Sequence, residues 1–168
     1  MKHHLFTCEM MDDNILDCTK NNREQAKNRH FIQGNPKAIM MFEVASDSEE
    51  DAENQANNLI EDLNKNNFGY AVIKLYGADI DKIIELRKAG LGLLGSIVGD
   101  DKAADSIEDT AVELSDLPNY IAEFAAMMKR YGQDAIYYAH AGAGELHLRP
   151  VLNLKKTADL KLFRTIAT

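Results

Sequence analysis

Residues 135–151 hold two short runs rich in aromatic and aliphatic side chains, AIYYAHA (135–141) and ELHLRPV (145–151), separated only by Gly142, Ala143 and Gly144. Runs of this length bounded by turn-forming residues read as strands, and so short a gap joins them as an antiparallel hairpin. A lone two-stranded ribbon is at best marginally stable in water, so other elements must cover it.

The rest of the chain supplies candidates. Residues 9–31 are polar with scattered apolar positions and read as an irregular entry followed by a helix. AIMMFEVA (38–45) follows the turn signal Gly34-Asn35-Pro36 and reads as a buried strand. Ser46 or Ser48 then caps a helix whose apolar positions 52, 56, 59, 60 and 63 recur at helical spacing, with acidic residues in its first turn. After Gly69, YAVIKLY (70–76) reads as a second strand, DIDKIIELRKAGL (79–91) as a second helix, and LGLLGSIVGDDKA as an unusually apolar loop. ADSIEDTAV (104–112) is a further strand. A helix follows over 116–131, capped by Ser115, with Pro118 in its first turn and Leu117, Ile121, Phe124, Met128 and Tyr131 along one stripe, and Gly132 stops it. A last helix begins near Thr157 and is cut off at Thr168.

Two successive strand-helix-strand units predict an α+β fold of ferredoxin-like type, a mainly antiparallel sheet with helices packed on one face. The 168 residues, 45% of them apolar, suffice for one domain over 1–168. A chain that stops in mid-pattern reads as a piece of a larger protein. The net charge of -8 argues against a nucleic-acid or anionic-membrane partner, since both reward clustered Lys and Arg. Cys8 and Cys18 are too few for a disulfide framework and fit no common metal spacing, so free thiols are expected. No apolar run approaches the roughly 20 residues of a membrane span and no signal peptide is evident, so a soluble, cytoplasmic protein is expected. His3 and His4 read as a solvated end.

Chemistry concentrates on the hairpin. With Ala143 and Gly144 as the central pair of a two-residue turn, His140 faces His147, Tyr138 faces Arg149 and Gly142 faces Glu145. Alternation places Tyr138, His140, Glu145, His147 and Arg149 on one face, and directly opposed Cβ atoms lie roughly 5 Å apart, close enough for two imidazoles to share a metal ion. The glycines at 142 and 144 permit the turn and leave room above it for a ligand. Two histidines on a hairpin are in general more often a polar surface patch than a metal site, and a metal needs a further ligand: Glu145, or a residue beyond Thr168. Glu108 and Asp109, adjacent on a strand, are expected to point to opposite faces, one of them towards the interior or a neighbouring domain, and so not to act as a paired acid and base. Arg87, near a helix end, suits either a substrate carboxylate or the helix dipole. The chain has no phosphate loop, nucleophile elbow or dinucleotide fingerprint.

LRKAGLGLL, IEDTAV, LPNYIAEF and YYAHAGAGELHLRP, in that order, resemble the C-terminal domain of FAD-linked oxidases of the vanillyl-alcohol oxidase superfamily. That group includes the flavin subunit of glycolate oxidase, FAD-dependent D-lactate dehydrogenases and D-2-hydroxyglutarate dehydrogenases. The resemblance runs from about Glu9 to the end and implies a substrate-side domain that packs over an FAD held by a separate domain preceding residue 1. The family's H-x-G-D-G-N-x-H motif falls on His140, Gly142, Gly144 and His147, and the sequence departs from it at Ala143 and Glu145, where Asp and Asn are usual. By resemblance, the two histidines bind a divalent zinc, manganese or iron ion, and Arg87 engages the carboxylate of a 2-hydroxy acid of lactate or glycolate type.

The implied reaction is oxidation of the D-2-hydroxy acid to its 2-oxo acid, with hydride passing to the flavin and onward to an iron-sulfur or quinone acceptor. The family's remaining ligand and its catalytic histidine belong to a Glu-His-Gly motif expected beyond Thr168. No catalytic residue is therefore expected in this chain, which is expected to be inactive alone and prone to self-association through the face a missing domain leaves bare. Two other classes compete with this reading. One is a non-catalytic ferredoxin-like binding module. The other is a metal-dependent hydrolase, which lacks a nucleophile and a further ligand.

Overall fold

Strand structure begins earlier than the sequence suggests. In the computed structural model, which describes residues 3–168, the segment expected to be irregular forms strand β1 (Thr7–Asp12) and runs directly into helix α1 (Asp13–Lys20). Asp12 makes the junction. One carboxylate oxygen accepts from the Ile15 N–H at 3.1 Å as a helix cap, and the other accepts from the Tyr137 N–H at 2.9 Å, tying β1, α1 and the hairpin together.

The chain continues through strand β2 (Ala38–Glu43), helix α2 (Glu49–Lys65), helix α3 (Ala78–Leu93), the short strand β3 (Lys102–Ala103), strand β4 (Ile107–Ala111) and helix α4 (Leu117–Tyr131). Strands β5 (Ala135–His140) and β6 (Glu145–Leu152) form the hairpin, and helix α5 (Thr157–Ile166) closes the chain. All strand pairs are antiparallel, in the order β2-β1-β5-β6, and the outer edge of β6 is shared by β4 at residues 145–148 and β3 at 151–152. Gly132, in the left-handed conformation, terminates α4 as expected.

The α+β class and the antiparallel sheet agree with the sequence reading, and the helices cover both faces of the sheet rather than one. Alternation along β5 explains this. Ala135 and Ala139 enter a core with Phe124 and Met128 of α4, Ile166 of α5, and Leu146 and Leu148 of β6. Ile136 and Tyr138 point the other way, into a core with Met11, Ile15, Leu16 and Leu94. The hairpin is thus covered on both sides, which accounts for the nearly continuous apolar character of β5.

Two further expectations are corrected. Among the described residues YAVIKLY pairs with no strand: the Tyr70 hydroxyl donates to the Gln33 carbonyl, and Lys74 and Tyr76 bind Glu53 of α2. Period-two patterning specifies which side of a strand is apolar and not which edge it joins. LGLLGSIVGDDKA is in part helical, because α3 runs to Leu93 and continues as a 3-10 turn over Leu94–Ser96. Gly90 lies against Ile15, where a Cβ would collide with the isoleucine methyl, so the glycine sets how closely α3 approaches α1. His3 is also less solvated than expected, its ring bonding Asp62 of α2 at 2.9 Å. Among the described residues no helix is long and apolar enough to cross a membrane.

Candidate metal and substrate site

The hairpin register is shifted by two residues from the one a two-residue turn would give, and the connection is four residues long, 141–144. Residues 141–143 form a 3-10 turn closed by left-handed Gly144, so His140 pairs with Glu145, Tyr138 with His147, and Arg149 with Ile136. An even shift preserves the face, and Tyr138, His140, Glu145, His147 and Arg149 still share one side of the sheet. The histidines stand diagonally, their ring centroids 5.3 Å apart at 76°. Donor atoms of His140, Glu145 and His147 lie within 4.8 Å of one another, a set of two imidazoles and a carboxylate that suits a divalent transition metal.

The expected room above the turn is filled by protein. A Cβ on Gly142 would come within 3.0 Å of the Cys8 Cβ on β1, and one on Gly144 would overlap the Val112 carbonyl. These glycines let β1 and the end of β4 close against the turn.

Each histidine is held from behind by a carboxylate. His140 Nδ1 lies 2.9 and 3.1 Å from the two Glu9 oxygens, and Glu9 is bound in turn by Arg87 Nη2 at 2.5 Å. His147 Nδ1 lies 2.9 Å from Glu108 and 3.1 Å from Asp109, and Arg149 Nη2 sits 2.5 Å from Glu108. Two parallel chains result: Arg87, Glu9, His140 and Arg149, Glu108, His147.

The second chain depends on an irregularity. Between Ile107 and Thr110 the β4 ladder slips by one residue, so Glu108 and Asp109 both lie opposite His147, with Asp109 at φ 55°. A bulge puts two residues of one strand against one of its neighbour. The opposite-faces expectation for Glu108 and Asp109 is therefore overturned, because regular alternation does not survive a bulge. Glu108 is partly buried and engaged by both His147 and Arg149, while Asp109 is largely exposed. Glu108, Asp109 and His147 form a second cluster of possible metal donors.

Arg87 lies six residues before the end of α3, too far back to serve the helix terminus. Its guanidinium carbon sits 4.2 Å from the centroid of the Tyr138 ring, its Nη2 also reaches the Ala139 carbonyl at 3.3 Å, and its Nε is buried without a hydrogen-bond partner among the described residues. Burial raises the Tyr138 hydroxyl above its usual pKa, the Arg87 charge partly offsetting this, so the phenol stays protonated. The thiols of Cys8 and Cys18 are free, and burial pushes both up, away from the thiolate.

Glu9 and Arg149 went unrecognised as site residues in the sequence. Glu9 lies in a stretch without clear periodicity, and only the pairing of β1 with β5 brings it to His140. Arg149 was placed on the correct face without an assigned partner.

The sequence matches the family described as FAD linked oxidases, C-terminal domain, over residues 1–168. It is 38% identical over 88 residues to a D-2-hydroxyglutarate dehydrogenase of Haemophilus influenzae and 35% over 88 residues to one of Pseudomonas putida, in each case 52% of this chain and 9% of the relative. A third, from Escherichia coli, is 39% identical over 77 residues, 46% of this chain and 8% of the relative. These alignments span less than a tenth of the relatives' length.

Proposed function

The chain belongs to the C-terminal domain family of FAD linked oxidases, and from that premise we propose that it is the substrate and metal domain of an FAD-dependent dehydrogenase acting on a D-2-hydroxy acid. The observation that carries the reading is the convergence of His140, Glu145 and His147 within 4.8 Å on the face where Arg87 also lies. The relatives' name favours D-2-hydroxyglutarate over the lactate or glycolate suggested by the broader resemblance.

In this proposal His140, His147 and Glu145 hold the divalent cation. A cation there would supply Lewis acidity to the hydroxyl and carboxylate oxygens of the acid, and FAD, held by another domain of the same protein, would accept the hydride. The chain's own residues bind and orient. Arg87 keeps Nη2 on Glu9, while its Nη1 has no protein partner among the described residues and is offered to the substrate carboxylate. Tyr138, buried beneath the guanidinium, fixes its plane.

Zinc titration of the chain by calorimetry, with metal content read by mass spectrometry, tests the site. Wild type should bind one equivalent, and His140→Ala and His147→Ala should each weaken binding at least about 100-fold, since two remaining donors make an incomplete site. Unchanged binding in both variants would sink the proposal.

A further inference from the structure

The tautomer of each histidine follows from its surroundings. Glu9 and Glu108, as carboxylates, can only accept hydrogen bonds, and each lies 2.9 Å from an Nδ1. A lone pair on Nδ1 would face carboxylate lone pairs at that distance. Arg87 Nη2 also approaches His140 Nδ1, at 3.4 Å, but a donor that long and already committed to Glu9 at 2.5 Å does not outweigh the carboxylate contact. At His147 the case is stronger, because Asp109 places a second carboxylate 3.1 Å from the same nitrogen. Each Nδ1 therefore carries the proton. Neither Nε2 has a hydrogen-bond partner among the described residues.

We propose that Glu9 and Glu108 are positioning residues that hold His140 and His147 in the Nδ1–H tautomer, so that both Nε2 lone pairs are directed at one divalent cation. Arg87 and Arg149 fix the two glutamates. Free imidazole leans towards the Nε2–H form, which presents no lone pair at Nε2, so the carboxylates remove a rearrangement that would otherwise oppose binding. Glu108 then acts through His147 rather than as a ligand, and the Glu108, Asp109 and His147 cluster is the back of the site. This inference rests on the metal reading above for its purpose but not for its test.

Long-range proton–nitrogen correlation spectra of the metal-free chain at about pH 8, where unperturbed histidine is neutral, read each tautomer directly. His140→Gln and His147→Gln assign the signals. Both wild-type histidines should be Nδ1–H; Glu9→Ala should return only His140, and Glu108→Ala combined with Asp109→Ala, which together leave no carboxylate at that nitrogen, only His147, to the Nε2–H form. Zinc affinity should fall roughly 10- to 100-fold in each alanine variant, the usual effect of removing a ligand's supporting hydrogen bond, and stay within about threefold in Glu9→Gln and Glu108→Gln, whose carbonyl oxygens still accept. A wild-type histidine protonated at Nε2 overturns the inference without any variant having to fold, as does a tautomer indifferent to loss of every carboxylate at its Nδ1. Zinc affinity indifferent to both histidines overturns the metal reading alone.

Discussion

Gly144 meets two demands at once: its φ of 71° lies in the left-handed region, and its Cα faces the Val112 carbonyl with no space for a side chain. Its own carbonyl accepts from the Val112 N–H at 3.0 Å, so the turn cannot drift away to relieve a clash. Gly144→Ala should cost about 3 kcal/mol, combining a left-handed penalty of about 1–2 kcal/mol with overpacking of similar size, and urea denaturation checks this. Asp12 carries a different constraint. Burial raises its carboxyl pKa, and the hydrogen bonds from Tyr137, Ile15 and Asn14 only partly offset the effect. A folded pKa above the unfolded one means that its stability contribution is present below the ordinary value of 3.8 and lost as pH rises through the shifted one. Asp12→Asn removes that titration but can accept from only one of the two backbone N–H groups, leaving the other unpaired at about 1–3 kcal/mol. Its penalty relative to wild type should therefore shrink between about pH 4 and about pH 7, as shown by urea midpoints measured at both.

Among the elements, helices α1 and α3 show packing overriding propensity. Alanine in place of Gly90 gains about 1 kcal/mol of helix propensity, but its Cβ would collide with Ile15, which has no exposed surface and nowhere to move. Overpacking of about 1–3 kcal/mol should win, so Gly90→Ala should destabilise the wild type. In an Ile15→Ala background the obstructing methyl is gone, and the same change should stabilise; a double-mutant cycle of unfolding free energies reads the reversal. The apolar, glycine-rich LRKAGLGLL was visible in the sequence, but its reason was not, since helical spacing cannot show that α1 approaches at Gly90. The β4 bulge is similar. IEDTAV reads as a strand, and nothing in six residues reveals the slip that turns both acids onto His147.

The whole molecule divides its stability unevenly. The β5–β6 hairpin is buried between two cores, whereas α2 has no fully buried residue and belongs to neither. Residues 66–76 beside it leave Phe68, Tyr70 and Tyr76 each more than half exposed. In native-state hydrogen exchange, amides of α2 should open at free energies several kcal/mol below those of β5 and β6, because few apolar contacts oppose their local unfolding. Uniform protection across both regions would contradict this division.

Properties carried by neighbours along the chain were determined by the sequence alone: the hairpin, the stripe and stop of α4, the α+β class, and a common face for Tyr138, His140, Glu145, His147 and Arg149. That face survived an error in turn length because strand sidedness depends only on parity. Tertiary structure decided what distant segments bring to the histidines. Glu9 reaches His140 across 131 positions, and Glu108 reaches His147 across 39 and through a bulge. Such contacts depend on which strand edges meet and where their registers slip, and local periodicity carries no record of either.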